Sequence, residues 1–177
     1  MKRNTTFIIS LGGICLALTL VFMFAGSFVP DIELTLFAIA SVFTAVMIIE
    51  AGVGGAAIFY LAAVLLGFVL IPNKLGIIPY AFLFGYYGIL KFYIEKLNSG
   101  PMQLAAKIIF FAILLSVGFL GFKELLLGAV NIPDYPALIL VAGGIVVMLL
   151  YDWLYTQLIN FYVVKIQRKG MDDFKLS

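Results

Sequence analysis

Long apolar runs separated by short polar connections make up most of the chain. A helix needs about 20 apolar residues to cross the roughly 30 Å hydrocarbon core of a bilayer, and the runs approach that length. They lack the alternation of apolar and polar residues that is typical of outer-membrane strands. The pattern predicts six helices, at residues 7–29, 34–49, 53–71, 77–97, 104–124 and 136–165.

The composition supports a membrane environment. Apolar residues make up 64% of the 177 residues and charged residues 11%, whereas soluble domains have about 45–50% and about 25%. A water-soluble core cannot bury this much apolar surface, so lipid has to surround it. We therefore expect an all-α membrane protein: one transmembrane domain over residues 1–177, folded as a six-transmembrane-helix bundle and multi-pass in the cell membrane.

Basic residues are unevenly distributed between the connections. If the chain crosses six times, all of its eleven Lys and Arg residues except Lys74 and Lys123 fall on the side of the two termini. An excess of Lys and Arg marks the cytoplasmic side of membrane proteins. We therefore expect both termini to be cytoplasmic. Anionic lipid headgroups explain the basic ends, and no nucleic-acid partner is expected.

The residue types present exclude several kinds of active site. The chain has no histidine, which removes zinc proteases and hydrolases built on Ser-His-Asp or Cys-His. Cys15 is the single cysteine, so one chain has neither a disulfide nor a thiolate metal site. We predict no catalytic residue, no metal site and no cofactor, and we do not expect an enzyme.

Three charged residues lie unusually deep in the predicted helices. At 1.5 Å per residue from the outer helix starts, Glu50 and Asp152 lie roughly 24 Å down and Lys91 about 18 Å. Ionisable groups inside a membrane are costly and usually pair or face a polar cavity. One interpretation is an intramembrane charge cluster in which Lys91 pairs with Glu50 or Asp152. The other is an interfacial anchor, with Lys91 reaching the cytoplasm and Trp153 and Tyr155 in the aromatic belt.

Polar and aromatic residues gather at the predicted outer connections. Hydrogen-bonding groups of both charge signs beside aromatic rings suit a small polar or zwitterionic molecule, although ordinary loop hydration explains the same residues. The candidate substrate-binding residues are Asn73, Lys74, Tyr80, Lys123, Glu124, Asp134 and Tyr135.

The first predicted helix carries a pair of small residues four positions apart, Gly13 and Ala17. Such pairs let a second membrane helix approach closely, because association in lipid depends on packing. They are the candidate residues for docking a partner.

Taken together, the chain resembles the S components, which are the substrate-binding subunits of energy-coupling-factor (ECF) transporters. The resemblance rests on the six-helix layout with both ends inside, the size, the Gly13/Ala17 pair, and the stretch 29–40 leading to Gly52–Gly55. It implies binding of a vitamin or a precursor of one from outside, and docking through helix one on a coupling transmembrane subunit. It also implies that cytoplasmic ATPases supply the energy. In that family the docking motif is typically Ala-xxx-Ala, so Gly13 departs from it but stays small.

A second function fits the same pattern. Rod-shape-determining membrane scaffold subunits are similar in size and helix count, and the Val29-Pro30-Asp31 entry to the second helix fits them nearly as well. In a scaffold, the deep charges would face partner proteins. The sequence leaves both functions open.

Overall fold

The computed structural model of the chain describes residues 5–29, 32–72, 74, 77–97, 99–127 and 137–165. Almost all of these residues are helical, and none of them forms a strand, which confirms the all-α class. The elements in chain order are α1 (Thr5–Gly26), α2 (Glu33–Leu70), α3 (Ile77–Pro79), a π-helical segment (Tyr80–Phe84), α4 (Tyr87–Ile94), α5 (Gly100–Leu127) and α6 (Ala137–Lys165).

Within the described residues, five helical stretches are long and apolar enough to cross a membrane. They are Thr5–Gly26, Glu33–Leu70, Ile77–Ile94, Gly100–Gly118 and Val141–Val164. Their exposed positions carry mainly leucine, valine, isoleucine and phenylalanine, side chains that suit lipid better than water. Most bounds lie within about four residues of the sequence prediction. The exception is α2, which covers two predicted helices.

Gly52 reverses the direction of α2. Its backbone angles, φ 75° and ψ 178°, are not helical, and they fall in a region that glycine alone adopts readily. On α1, Gly26 packs against Phe37. One turn earlier on the same helix, Met23 packs against Gly67. A straight helix would separate Phe37 from Gly67 by about 45 Å. Since both contact the same turn of α1, the chain must fold back at Gly52.

The reversal divides α2 into two arms, residues 33–51 and 53–70. At 1.5 Å per residue each arm is about 27–28 Å long, close to the thickness of the hydrocarbon core. The sequence indicated this hairpin through the cluster of small residues at Gly52–Gly55.

The chain divides into two compact units, Met1–Lys91 and Phe92–Ser177, here named the N-terminal and C-terminal units. In the N-terminal unit, α1 packs along α2 through a buried stripe that includes Cys15, Thr19 and Met23. The Thr19 hydroxyl donates to the Cys15 carbonyl at 2.9 Å, so this hydroxyl is satisfied within its own helix. In the C-terminal unit, α5 packs against α6.

Candidate functional site

Two fully buried hydroxyl groups mark the interior of the N-terminal unit. Tyr80, at the start of the π-helical segment, and Thr44, on the first arm of α2, are both 0% exposed. The Tyr80 hydroxyl lies close to the Thr44 hydroxyl and within electrostatic range of Tyr60. Within the described residues, however, neither Tyr80 nor Thr44 makes a well-formed hydrogen bond through its hydroxyl. A buried polar group without a partner is rare in native proteins and calls for an explanation.

The π-helical segment fixes the position of Tyr80. Its wider turn is closed by the Gly85 amide, which donates to the Tyr80 carbonyl at 2.6 Å. The Tyr60 hydroxyl, on the second arm of α2, donates to the Ala81 carbonyl at 2.9 Å. Gly85 makes room for the Tyr60 ring, because a Cβ atom at this position would lie 2.8 Å from it. Short π-helical turns of this kind are frequent at functional sites.

Aromatic rings pack against Tyr80 and its neighbour Tyr60. The Phe37 and Tyr80 rings meet edge to face, with centroids 6.2 Å apart and planes at 75°. The Tyr60 and Tyr86 rings meet in the same way at 6.3 Å and 69°. Both arrangements are favoured by the charge distribution of aromatic rings. The site therefore combines aromatic walls with neutral hydroxyl groups, and Tyr80 is the predicted substrate-binding residue that the structure places in it.

A carboxylate lies on the same arm, towards its start. Glu33 is one turn before Phe37, and its Cγ atom packs near Gly26 of α1. Its Oε1 atom is buried and has no hydrogen-bond partner within the described ranges. Glu33 and Thr44 are separated by about 16 Å along the arm, so the carboxylate and the hydroxyl pair are distinct features.

Lys74 has a local role in the structure. Its ammonium group donates to the carbonyls of Phe68 and Val69 in the last turn of α2. These carbonyls have no partner within the helix, and a cation at a helix C-terminus also interacts favourably with the helix dipole. Lys74 thus caps α2, and its part in substrate binding stays a prediction.

The other predicted substrate-binding residues lie outside what the structure describes. For Lys123 and Glu124 this concerns the side chains, since both positions belong to the helical backbone of α5. The full set is Asn73, Lys123, Glu124, Asp134 and Tyr135.

The small-residue pair of α1 faces outward. Gly13 and Ala17 are both exposed, on the side of the helix opposite to the buried stripe. Apart from the backbone and immediate neighbours of Gly13 in α1, none of the described residues comes within 4 Å of a Cβ atom placed on it. The surface at this point of α1 is therefore open to close approach by another helix.

A buried ion pair occupies the C-terminal unit. The Lys107 ammonium on α5 lies 2.6 Å from Asp152 Oδ2 on α6 and 3.4 Å from Glu95 Oε1. Lys107 and Asp152 are both buried. One turn before Lys107, the Gln103 amide donates to the carbonyls of Glu95 and Leu97, at 3.1 and 2.9 Å. Side chains on one face of α5 therefore contact both the connection that precedes α5 and helix α6.

Glu50 and Lys91 are buried in the N-terminal unit. Lys91 is 2% exposed and Glu50 is 9% exposed. Glu50 lies close enough to the Cys15 thiol for the two groups to interact electrostatically. The burial of Lys91 favours a polar cluster over an interfacial anchor, since an anchor keeps its charged head in water. The pairing of Lys91 with Glu50 or Asp152 stays a prediction.

An open groove follows the exposed side of α6 near its end. It is lined by Gln157, Leu158, Asn160, Phe161 and Val164. It is far along the sequence from the predicted outer connections and contains no buried charge. The hydroxyl pair of Tyr80 and Thr44 is the stronger candidate for a site, because its polar groups are withdrawn from the surface.

Sequence reasoning missed Thr44, Lys107 and Gln103. Thr44 lies within an apolar run, and the polarity of its hydroxyl is the only feature of the sequence that could have indicated a site there. The sequence prediction places Lys107 in the first turn of the helix at 104–124, beside a connection, whereas α5 begins at Gly100 and Lys107 lies two turns inside it. The i, i+4 spacing of Gln103 and Lys107 was a signal that both lie on one helix face.

No known family model, curated protein or solved structure matches the chain. Its function therefore has to be inferred from its own residues.

Proposed function

We propose that the chain is the membrane-embedded substrate-binding subunit of an ECF-type transporter for a small molecule such as a vitamin or its precursor. In this proposal it crosses the cell membrane six times, with both termini in the cytoplasm. It binds its substrate from outside and has no catalytic activity of its own. A coupling transmembrane subunit and cytoplasmic ATPases supply the energy.

The observation that carries the proposal is the pair of buried hydroxyls at Tyr80 and Thr44. Burying polar groups without well-formed hydrogen bonds costs free energy, and natural proteins accept such costs mainly where function requires them. Pockets for small molecules combine apolar and aromatic walls with a few placed polar groups. The rings of Phe37, Tyr60 and Tyr86 around the two hydroxyls meet that description.

The topology of the proposal follows from the hairpin at Gly52. If each arm of α2 crosses once, the arms together with α1, Ile77–Ile94, α5 and α6 give six crossings. The basic residues then collect on the side of the termini, in agreement with the positive-inside rule. This orientation puts the start of the first arm, and with it Glu33, on the outer side.

The exposed pair Gly13 and Ala17 supports docking on a coupling subunit. Without a hydrophobic driving force in lipid, membrane helices associate through close packing of small residues. A leucine at Gly13 would hold a partner helix away. A leucine at Ala25, a small exposed residue near the other end of α1, is the matched control.

The test is purification of the tagged full chain from its native membranes in a mild detergent. The proposal expects a small molecule in stoichiometric amount, released on denaturation and identified by mass spectrometry. It also expects a membrane subunit and ATPases that are lost with Gly13→Leu and kept with Ala25→Leu. Recovery of cell-wall synthesis proteins, without a small molecule, would instead support the scaffold function.

A further inference from the structure

We propose that Tyr80 and Thr44 form the deep end of the substrate site and bind an uncharged hydrogen-bonding group carried by an aromatic or heteroaromatic ring. An amide, lactam or ring carbonyl is the kind of group intended. The inference rests on the proposed function and adds the chemical class of the substrate.

The depth of the two residues argues for an uncharged group. Thr44 lies eleven residues beyond Glu33, which is about 16 Å along the arm and near the middle of a 30 Å hydrocarbon core. A formal charge at that depth is costly. The polar groups that interact with the Tyr80 hydroxyl, those of Thr44 and Tyr60, are themselves uncharged.

The chemistry of the hydroxyls argues for a group that both donates and accepts. Each hydroxyl carries one hydrogen to donate and lone pairs to accept. Two hydroxyls side by side can therefore satisfy both the N–H and the C=O of an amide-like group. The Tyr60 hydroxyl already donates its hydrogen to the Ala81 carbonyl and can only accept a further bond. Tyr80 and Thr44 are therefore the pair that can offer a substrate both hydrogens and lone pairs.

The rings around the pair argue for a flat substrate. Phe37 and Tyr80 are arranged edge to face, as are Tyr60 and Tyr86. An aromatic ligand can extend such arrangements with favourable stacked or edge-to-face contacts. A compact aliphatic ion would gain little from these walls.

Tyr80 is fully buried, so a substrate reaches its hydroxyl only when the packing around it opens. The Tyr60 hydrogen bond to Ala81 is a contact next to Tyr80 that such an opening can break.

Three probes of nearly the same shape test the charge preference: benzamide (neutral), benzamidine (cationic) and benzoate (anionic). The full chain is purified in lipid nanodiscs, and its thermal unfolding midpoint is followed against the concentration of each probe. We expect benzamide to raise the midpoint and the two ions to leave it unchanged. Thr44→Val and Tyr80→Phe should weaken the apparent affinity for benzamide roughly tenfold. Thr19→Val is the matched control and should leave it unchanged, because Thr19 is equally buried and bonds within its own helix.

The inference is overturned if benzamide has no effect on the wild type, if the ions act as strongly as benzamide, or if Thr44→Val and Tyr80→Phe keep the wild-type response. Thr44→Ser retains the hydroxyl and should restore binding, which separates loss of the site from loss of folding. Failure of the transporter function is seen separately, as absence of transport subunits from the purified chain. A natural substrate that co-purifies equally with wild type and Thr44→Val would overturn the inference and leave the function standing.

Discussion

The buried ion pair of Lys107 and Asp152 permits a quantitative test of the C-terminal unit. Lys107→Met preserves an unbranched apolar side chain of similar length and removes the ammonium group. Asp152 then loses its partner at 2.6 Å, and Glu95 loses a contact at 3.4 Å. Met at this position leaves the carboxylate of Asp152 in a buried site with less compensation.

The size of the effect follows from the geometry. With an effective dielectric constant of about 20, two unit charges attract by about 6 kcal/mol at 2.6 Å and about 5 kcal/mol at 3.4 Å. Much of this attraction is offset by the cost of removing the charges from water. Removing one partner of a buried pair therefore destabilises by about 3–5 kcal/mol, whereas replacing both with apolar residues is often neutral. We expect Lys107→Met/Asp152→Leu to be more stable than Lys107→Met alone.

The measurement is the free energy of unfolding in mixed micelles, from titration with a denaturing detergent followed by circular dichroism. Lys96→Met is the matched control. Lys96 is exposed, with its ammonium 4.3 Å from the centroid of the Phe92 ring, so its loss should cost less than about 1 kcal/mol.

Two results would refute this reasoning. One is a Lys107→Met protein as stable as the Lys96→Met control, which would mean that the ion pair adds nothing to the fold. The other is strict additivity of Lys107→Met and Asp152→Leu, since coupled residues give a non-zero interaction energy in a double-mutant cycle.

Three further substitutions test the N-terminal unit by the same unfolding measurement. Gly52→Ala should lower the free energy of unfolding by about 1–3 kcal/mol, because the φ of Gly52 is positive. Gly54→Ala, where an added Cβ meets open space, is its control. Equal stabilities of the two variants would contradict the turn. Gly85→Ala should lower the free energy of unfolding by about 1–3 kcal/mol, because the added Cβ overlaps with the Tyr60 ring. An unchanged free energy of unfolding would show that the π-helical segment is loosely packed. If Lys91 pairs with a buried carboxylate, Lys91→Met should lower stability by about 3 kcal/mol or more, because that carboxylate is left without compensation. A protein that melts like the wild type would favour the interfacial anchor.

The helices were predictable because each corresponds to a long run of apolar residues in the sequence. The ends of α1 and α6 fall within a few residues of the prediction, and the small residues at Gly52–Gly55 indicated the hairpin. The start of α5 was less predictable. The sequence prediction assigns Gly100–Gln103 to the connection, four residues of the helix too many. Because of this shift, it places Lys107 at the border of a helix, whereas the structure places Lys107 in the interior of α5.

The candidate site was predictable only in part. Tyr80 was selected as a polar aromatic residue beside an outer connection, and the structure places it in the interior. Thr44 gave no comparable signal, because its helix is apolar on every face and the sequence does not reveal which face packs inward. The pairing of Lys107 with Asp152 joins residues 45 positions apart, and only the packing of α5 against α6 brings them together.

In the proposed topology, the backbone reversal at Gly52 also determines the parity of membrane crossings. If the two arms inserted as one unbroken rod, the chain after residue 70 would emerge on the opposite side of the bilayer. Each later segment would then face the other compartment, although its own sequence was unchanged. Under that topology, the sidedness of more than half of the polypeptide depends on a turn at one residue without a side chain.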